Sequence, residues 1–262
     1  MKQFILEKKP DRKGFIRFEG DDYRYLARVR RLATGEFFPA LLPDGKSVVI
    51  QVVSVDNKTL TGVITQEKIS ASKNSLPPIY LFQALPKGDK MDLIVRQAAE
   101  GAISGIVPFV SEFSSAKPGK NSGQKFIRWQ RIIKEARQQC GSVLATEIHQ
   151  PKSFDELFFY WEQIKKEQPG VIGLLFHHLP GLTNESLHGY LDRHSEVIVL
   201  VIGPEGGFSS AEAEKFMAAG FKSFTIGDTI LRTETAALYA AAAVRIILLE
   251  KDSWEMMQKK QK

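Results

Sequence analysis

The stretch VIVLVIGPEGGFSSAE, residues 197–212, decides how the chain is read. Its apolar run, Val197 to Ile202, has the character of a strand buried on both faces. Gly203-Pro204-Glu205-Gly206-Gly207 ends that run abruptly, and a helix-like pattern follows. Similar units surround it. From Ile79 onward the sequence alternates strands ("IYLFQAL", "GIVPFV", "VIGLLFHH", "SFTIG", with a short one near 147–149) with helices ("DKMDLIVRQAAEGA", "GQKFIRWQRIIKEARQQC", one over 153–167, "SAEAEKFMAAG" and a final "TETAALYAAAAVRIILLE"). Such alternation predicts an α/β fold: a largely parallel sheet with helices on both faces. In open sheets of this kind ligands sit beyond the carboxyl ends of the strands.

Residues 1–72 read differently. Short strand-like runs, "FIRF", "FFPALL", "SVVIQVVSV" and "TLTGVITQ", are separated by turn residues such as Pro43-Asp44-Gly45 and Asp56-Asn57-Lys58. One helical segment, "DYRYLARVRRL", interrupts them, so a small β-barrel carrying one helix is expected. The polar connector "SASKNSLPP", residues 70–78, separates a first domain, 1–72, from a second, 78–252, and "SWEMMQKKQK" reads as a fraying terminus. With 43% hydrophobic and 25% charged residues over 262 positions, the composition is that of a soluble globular protein. No apolar run approaches a membrane span, and the N-terminus has no secretory character. The single Cys140 excludes an internal disulfide framework and suits a reducing compartment, so a cytoplasmic protein is expected. The net charge of +6 is compatible with a nucleic-acid partner without establishing one.

Two strand-end loops are rich in Gly and small polar residues. The first, Gly203 to Ser209, fits neither nucleotide-binding glycine pattern, has no following Lys, and holds Glu205, whose charge would repel a phosphate. Its glycines would let a neutral or cationic ligand with a purine-like face approach the backbone. Ser209 or Ser210 caps the next helix; counted from Ser210, Ala213 takes the third helical position and the capping box is incomplete. The second loop, "IGDTILRTETAA", runs from Ile226 to Ala237. Thr233 can cap the last helix, Glu234 suits its positive end, and Arg232 stands just outside.

"VIGPEGGFS" followed by "IGDTILRTETAA" at this spacing resembles the RsmE family of the SPOUT (α/β-knot) methyltransferases. The resemblance extends through "KGDKMDLIVRQAAEGAISGIVPFVSEFS", "RWQRIIKEARQQCG" and the N-terminal "RVRRL" helix, and so covers essentially the whole chain. It implies a C-terminal trefoil-knot domain, running from the 171–177 strand to the final helix, behind an N-terminal PUA-like barrel. It implies S-adenosylmethionine as cofactor, held by Leu175 and Phe176, by Gly203, Glu205 and Gly206, and by Ile226, Gly227, Leu231, Thr233 and Ala236. It further implies a homodimer, joined in part through the final helix, that methylates N3 of one uridine in small-subunit (16S) ribosomal RNA, in an assembled particle. Several positions depart from the family pattern: Tyr25 replaces His, Phe113 replaces Arg, Gln138 and Ser142 replace an acid and an Arg, Gly101-Ala102 replaces Leu-Gly, and Thr229 stands where Arg is frequent.

Uracil N3 lies on the pairing edge and carries a proton, so the base must be unpaired before methyl transfer. A fixed cation would stabilise the anion left behind, and Arg232 is the first candidate. Glu234 or Glu205 would orient Arg232 or accept the proton, while a structural ion pair at the helix start is the plainer role for Arg232 and Glu234. For RNA, one basic cluster holds Arg24, Arg28, Arg30 and Arg31; a second holds Lys125, Arg128 and Arg131, flanked by Lys117, Lys120, Lys134 and Arg137. In the second, Phe126, Trp129, Ile133, Ala136 and Cys140 form a core-facing stripe, making Trp129 a packing residue and Cys140 a core thiol. His177 and His178 lack metal-ligand spacing, and no metal is expected. Two other activities remain compatible with the sequence: a knot methyltransferase acting on another RNA site or on a ribose 2′-hydroxyl, and a non-catalytic RNA-binding ribosome assembly factor.

Overall fold

The computed structural model describes residues 3–68, 76–115, 122–177, 186–191 and 195–260. Most of the 70–78 connector, Lys117, Lys120 and His178 lie outside them. The chain divides into two compact units, Met1–Lys73 with Arg137–Ala145, and Asn74–Ala136 with Thr146–Lys262.

The described strands of the first unit are β1 (Phe4–Ile5), β2 (Phe15–Phe18), β3 (Phe37–Leu41), β4 (Ser47–Val55) and β5 (Leu60–Lys68). They form one sheet in the order β1-β3-β4-β5-β2, antiparallel except for the β1–β3 pair. Strand β4 shows the expected period of two, with Val48, Ile50 and Val52 buried between more open neighbours. Phe4, Phe18 and Phe38 pack edge-on behind it. The expected helix begins as α1 (Gly20–Tyr23) and continues through Arg24–Val29 as a π turn, in which Arg30 N–H reaches the Tyr25 carbonyl. Leu26 is buried within it. Leu32 N–H returns to the Leu26 carbonyl across Arg31, whose φ of 55° closes the helix.

Among the described residues the second unit has a six-stranded sheet in the order β11-β9-β10-β6-β7-β8, with every neighbouring pair parallel. Its strands are β6 (Ile79–Ala84), β7 (Gly105–Phe109), β8 (Glu147–Ile148), β9 (Val171–Phe176), β10 (Val197–Ile202) and β11 (Lys222–Phe224). The helices between and after them are α2 (Lys90–Glu100), α3 (Ser122–Cys140), α4 (Phe154–Glu167), α5 (Leu187–Tyr190), α6 (Ser210–Ala218) and α7 (Thr233–Lys260). Alternate strand residues feed two cores. Leu81, Leu174, Leu200 and Ile202 pack with α2, α3 and α7; Phe82, Leu175, Val199 and Val201 pack with α4 and α6. From β6 the chain moves to β7 and β8 on one side, then crosses to β9 and β10 on the other. The order therefore reverses between β6 and β10, the kind of switch point where such sheets bind ligands. Among the described residues no helix is long and apolar enough to cross a membrane.

Several local expectations need correction. Ser209, not Ser210, is the N-cap of α6, so Glu212 occupies the third helical position and the capping box is complete. Strand β11 stops at Phe224, because Thr225 and Ile226 leave the ladder to line the crevice described below. Cys140 is exposed, not a core thiol: it is the last residue of α3, and Arg137–Ala145 clusters with the first unit. Helix α7 continues to Lys260, through most of the segment read as fraying. Strand β1 was not expected; two residues carry no periodicity, and the pairing with β3 defines them.

Phe216 shows where the second core is most concentrated. It is 1% exposed and meets the rings of Phe109, Phe154, Phe158, Phe208 and Phe221. A Phe216→Ala variant is expected to lose about 3–5 kcal/mol of stability in urea unfolding. A loss below about 1 kcal/mol would contradict this packing.

Candidate active site

A crevice of about 300 Å³ opens at the carboxyl ends of β9, β10 and β11, at the small end of the range for small-molecule sites. Its floor and walls come mainly from the two loops singled out by sequence, with the strand ends at Phe176, His177, Ile202, Phe224 and Thr225. Phe176, Gly203, Glu205, Gly206, Ile226, Leu231, Thr233 and Ala236 line it, joined by His177, Pro204, Phe208, Phe224, Thr225, Thr229 and Ile230 among others. Leu175 and Gly227 do not. Leu175 is fully buried in the opposite core, as the period-two alternation from Phe176 requires. The first loop turns through Gly207 at φ 68°. A Cβ added at Gly203 would come within 3.2 Å of the Gly207 backbone, and one at Gly206 within 3.0 Å of Phe113 Cβ. Glycine is therefore required at both positions by the loop's own close packing, and both residues also line the crevice.

The two loops are fastened to each other. Thr233 donates its hydroxyl hydrogen to the Gly203 carbonyl at 2.6 Å, both groups being buried. This hydroxyl, expected to cap α7, thus ties the start of that helix to the end of β10. Gln83, on β6 opposite Ile202, donates from Nε2 to Thr233 Oγ1 at 3.0 Å and to the Ala84 carbonyl at 3.0 Å. It also lies 3.5 Å from the Gly203 carbonyl. The carbonyl neighbours force this amide orientation, since the reverse would set oxygen against oxygen. Gln83 was missed by the sequence reading, although a polar residue in an otherwise apolar strand end is itself a signal.

Glu205 is fastened in another way. Its carboxylate accepts the Lys87 backbone N–H at 3.1 and 3.2 Å and meets Lys90 Nζ at 2.7 Å. Lys90 also lies 3.7 Å from Glu234 Oε2. The ion pairs therefore run to Lys90 rather than to Arg232, correcting the expectation of a structural ion pair between Arg232 and Glu234 at the helix start. The reason is electrostatic. Lys90 is the first residue of α2, where a cation faces the positive end of the helix, and the two carboxylates offset it. Lys90 left no local sequence signal, since its partners lie over a hundred residues away. Burial opposes the Glu205 charge, but the Lys90 hydrogen bond, the backbone donors and the Lys90 charge outweigh it, holding this carboxyl below its ordinary range. The hydrogen bond to Glu205 in turn holds Lys90 above its own.

Arg232 is exposed between the crevice residues Leu231 and Thr233, and its guanidinium makes no ion pair among the described residues. Its charge is felt at Lys90. Neither Arg232 nor Glu234 lines the crevice. Among the described residues no group of three His, Cys, Asp or Glu side chains is placed to hold a metal.

The basic clusters lie on the surfaces of their own units. In the first, Arg24 pairs with Asp21, Arg30 lies over the Phe38 ring, and Arg28 and Arg31 are exposed. In the second, Arg128 pairs with Asp92, Arg131 with Glu135, and Lys125 is exposed. Trp129 is buried and donates to Asp92, as a packing residue should.

The Glu205–Lys90 pair has a stated pH dependence. A depressed carboxyl contributes stability above its unfolded pKa of about 4.3 and loses it as pH falls through the folded value. A raised ammonium contributes below about 10.4 and loses that as pH rises through the folded value. Thermal midpoints of wild type and Glu205→Gln should differ by a constant amount near neutral pH and converge below about pH 4. A difference that persists undiminished into acid would contradict the pairing.

Comparisons with known proteins agree with this geometry. The RNA methyltransferase domain family matches residues 72–245. A Synechocystis protein named ribosomal RNA small subunit methyltransferase E is 32% identical over 227 residues, spanning 86% of this chain and 70% of that one. A candidate methyltransferase of Legionella pneumophila, solved with the cofactor SAM bound, superposes with a TM-score of 0.78 at 26% identity over 94% of this chain and 96% of its own. The ribosomal RNA small subunit methyltransferase E of Neisseria gonorrhoeae, solved with S-adenosylmethionine, gives a TM-score of 0.80 at 24% identity over 94% and 98%, a likeness of fold. The chain belongs to the ribosomal RNA small subunit methyltransferase E family of RNA methyltransferases.

Proposed function

We propose that the chain transfers a methyl group from S-adenosylmethionine to N3 of a specific uridine in small-subunit (16S) ribosomal RNA. The observation that carries this reading is the crevice closed by the Thr233–Gly203 hydrogen bond: a glycine-backed, largely apolar slot at the switch point of a parallel sheet. Family membership and the relatives' named substrate and cofactor support it. The glycine lining at Gly203 and Gly206, with apolar walls from Phe176, Ile226, Leu231 and Ala236, suits an adenosine moiety. Glu205 also lines the slot, with its charge already balanced by Lys90. Leu175 and Gly227 would contribute through backbone groups.

When bound, the cofactor supplies an electrophilic methyl group on a sulfonium. The protein's own residues orient the acceptor. Arg232, a cation with no carboxylate partner among the described residues, stabilises the negative charge that spreads to the uracil carbonyl oxygens once N3 releases its proton to solvent. Glu234, whose buried Oε2 has no hydrogen-bond partner and lies 3.7 Å from Lys90 Nζ, would position the start of α7 and with it Arg232.

The same reading assigns residues 1–72 to RNA binding, as a PUA-like barrel of which the open five-stranded sheet forms part, and residues 78–252 to catalysis. Arg24, Arg28, Arg30, Arg31, Lys125, Arg128 and Arg131 would meet phosphates, which suits a substrate in an assembled particle. A trefoil knot would run from β9 to α7, consistent with the adjacency of β9, β10 and β11. A homodimer is supported by the α2–α7 face, where an apolar groove of about 320 Å³ is flanked by exposed Leu238, Ile246 and Leu249. The substrate would place the protein in the cytoplasm.

Incubation with labelled S-adenosylmethionine and unmodified small subunits, followed by nucleoside mass spectrometry, should yield N3-methyluridine at one position. Label on a ribose would indicate the 2′-hydroxyl reading; cofactor binding without label would indicate a non-catalytic factor. Arg232→Ala should lower kcat about 10²-fold with unchanged cofactor affinity. Unchanged turnover would remove the assignment.

A further inference from the structure

Phe113 is a large apolar side chain left 47% exposed beside the crevice. It occupies a turn in which Ser114 N–H donates to the Ser111 carbonyl at 3.1 Å and Ser111 N–H donates to Ser114 Oγ at 3.1 Å. The two serine hydroxyls also meet at 3.1 Å, and both serines are buried. The turn is pinned from outside as well: the buried Glu212 carboxylate accepts the Glu112 N–H at 2.8 Å. Phe113 thus stands on a turn held by hydrogen bonds of Ser111, Ser114 and Glu112. Its Cβ lies so close to Gly206 that any side chain there would meet it at 3.0 Å, and Gly206 is a wall of the crevice.

A phenyl ring has no hydrogen-bonding group, so what it offers RNA is apolar surface and a π face. That is what an unpaired base requires, because leaving a helix costs its stacking partners and an aromatic surface replaces them. We propose that Phe113 is the platform on which a nucleobase of the RNA substrate stacks at the rim of the crevice; this rests on the methyl-transfer reading above. The base is the target uracil or its immediate neighbour. The ring adds binding energy that falls on the RNA and leaves the cofactor untouched.

The test compares wild type with Phe113→Ala, Phe113→Leu and Phe113→Trp by direct binding of an RNA fragment containing the modified site, alongside steady-state kinetics and cofactor titration. Phe113→Ala should weaken RNA binding and raise the RNA KM about tenfold or more. Phe113→Leu should behave like Phe113→Ala, and Phe113→Trp should stay within about twofold of wild type. Cofactor affinity should be the same in all four proteins. An abasic substitution at the target or a flanking nucleotide should abolish the difference between wild type and Phe113→Ala at one position, identifying the stacked base. Full function in Phe113→Leu, unaltered RNA binding in Phe113→Ala, a parallel loss of cofactor affinity, or a difference surviving every abasic substitution would each overturn the proposal. The RNA-binding measurement needs no turnover, so a wild-type protein that transfers no methyl group would count against the reading above and not against the platform.

Discussion

One buried hydrogen bond organises the catalytic unit. Thr233 Oγ1 and the Gly203 carbonyl belong to loops thirty residues apart, and their 2.6 Å contact makes those loops one structure. Gln83, from the neighbouring strand β6, braces the junction with its amide nitrogen. Hydrogen bonds of this kind gain strength from burial, and the same burial makes each partner costly to lose. The contact fixes the start of α7, with Arg232 just before it, against the end of β10.

Charge is used for the same purpose. Glu205 projects from a glycine loop where a free carboxylate would dominate any ligand's environment. Instead it accepts the Lys87 backbone N–H and pairs with Lys90, so it anchors the loop to the start of α2. Glu212 repeats the device at α6, capping its own helix through Ser209 while accepting the Glu112 N–H. The loops around the crevice are thus held by helix starts rather than by their own sequences, which gives a site assembled on rigid elements.

The outline of the fold was legible from Val197–Glu212 outward because buried parallel strands and intervening helices carry strong periodicities. The crevice was legible because its glycines and Thr233 cluster in two short segments. Gln83 was marked only as a polar residue in an apolar strand end, and Lys90, at the start of a helix, by nothing local; tertiary pairing gives each its role. The capping box at α6 turned on one residue of register between Ser209 and Ser210. Cys140 satisfied the helical stripe, yet that stripe says nothing about where along the helix the core ends. Strand β1 carried too little pattern to be seen at all.

Amide hydrogen exchange with and without S-adenosylmethionine tests most directly whether the two fastened loops form one cofactor cradle. Added cofactor should slow exchange together in residues 203–208 and 226–236, the segments that form the crevice. Exchange unchanged in both segments, or slowed in one of them alone, would contradict the account.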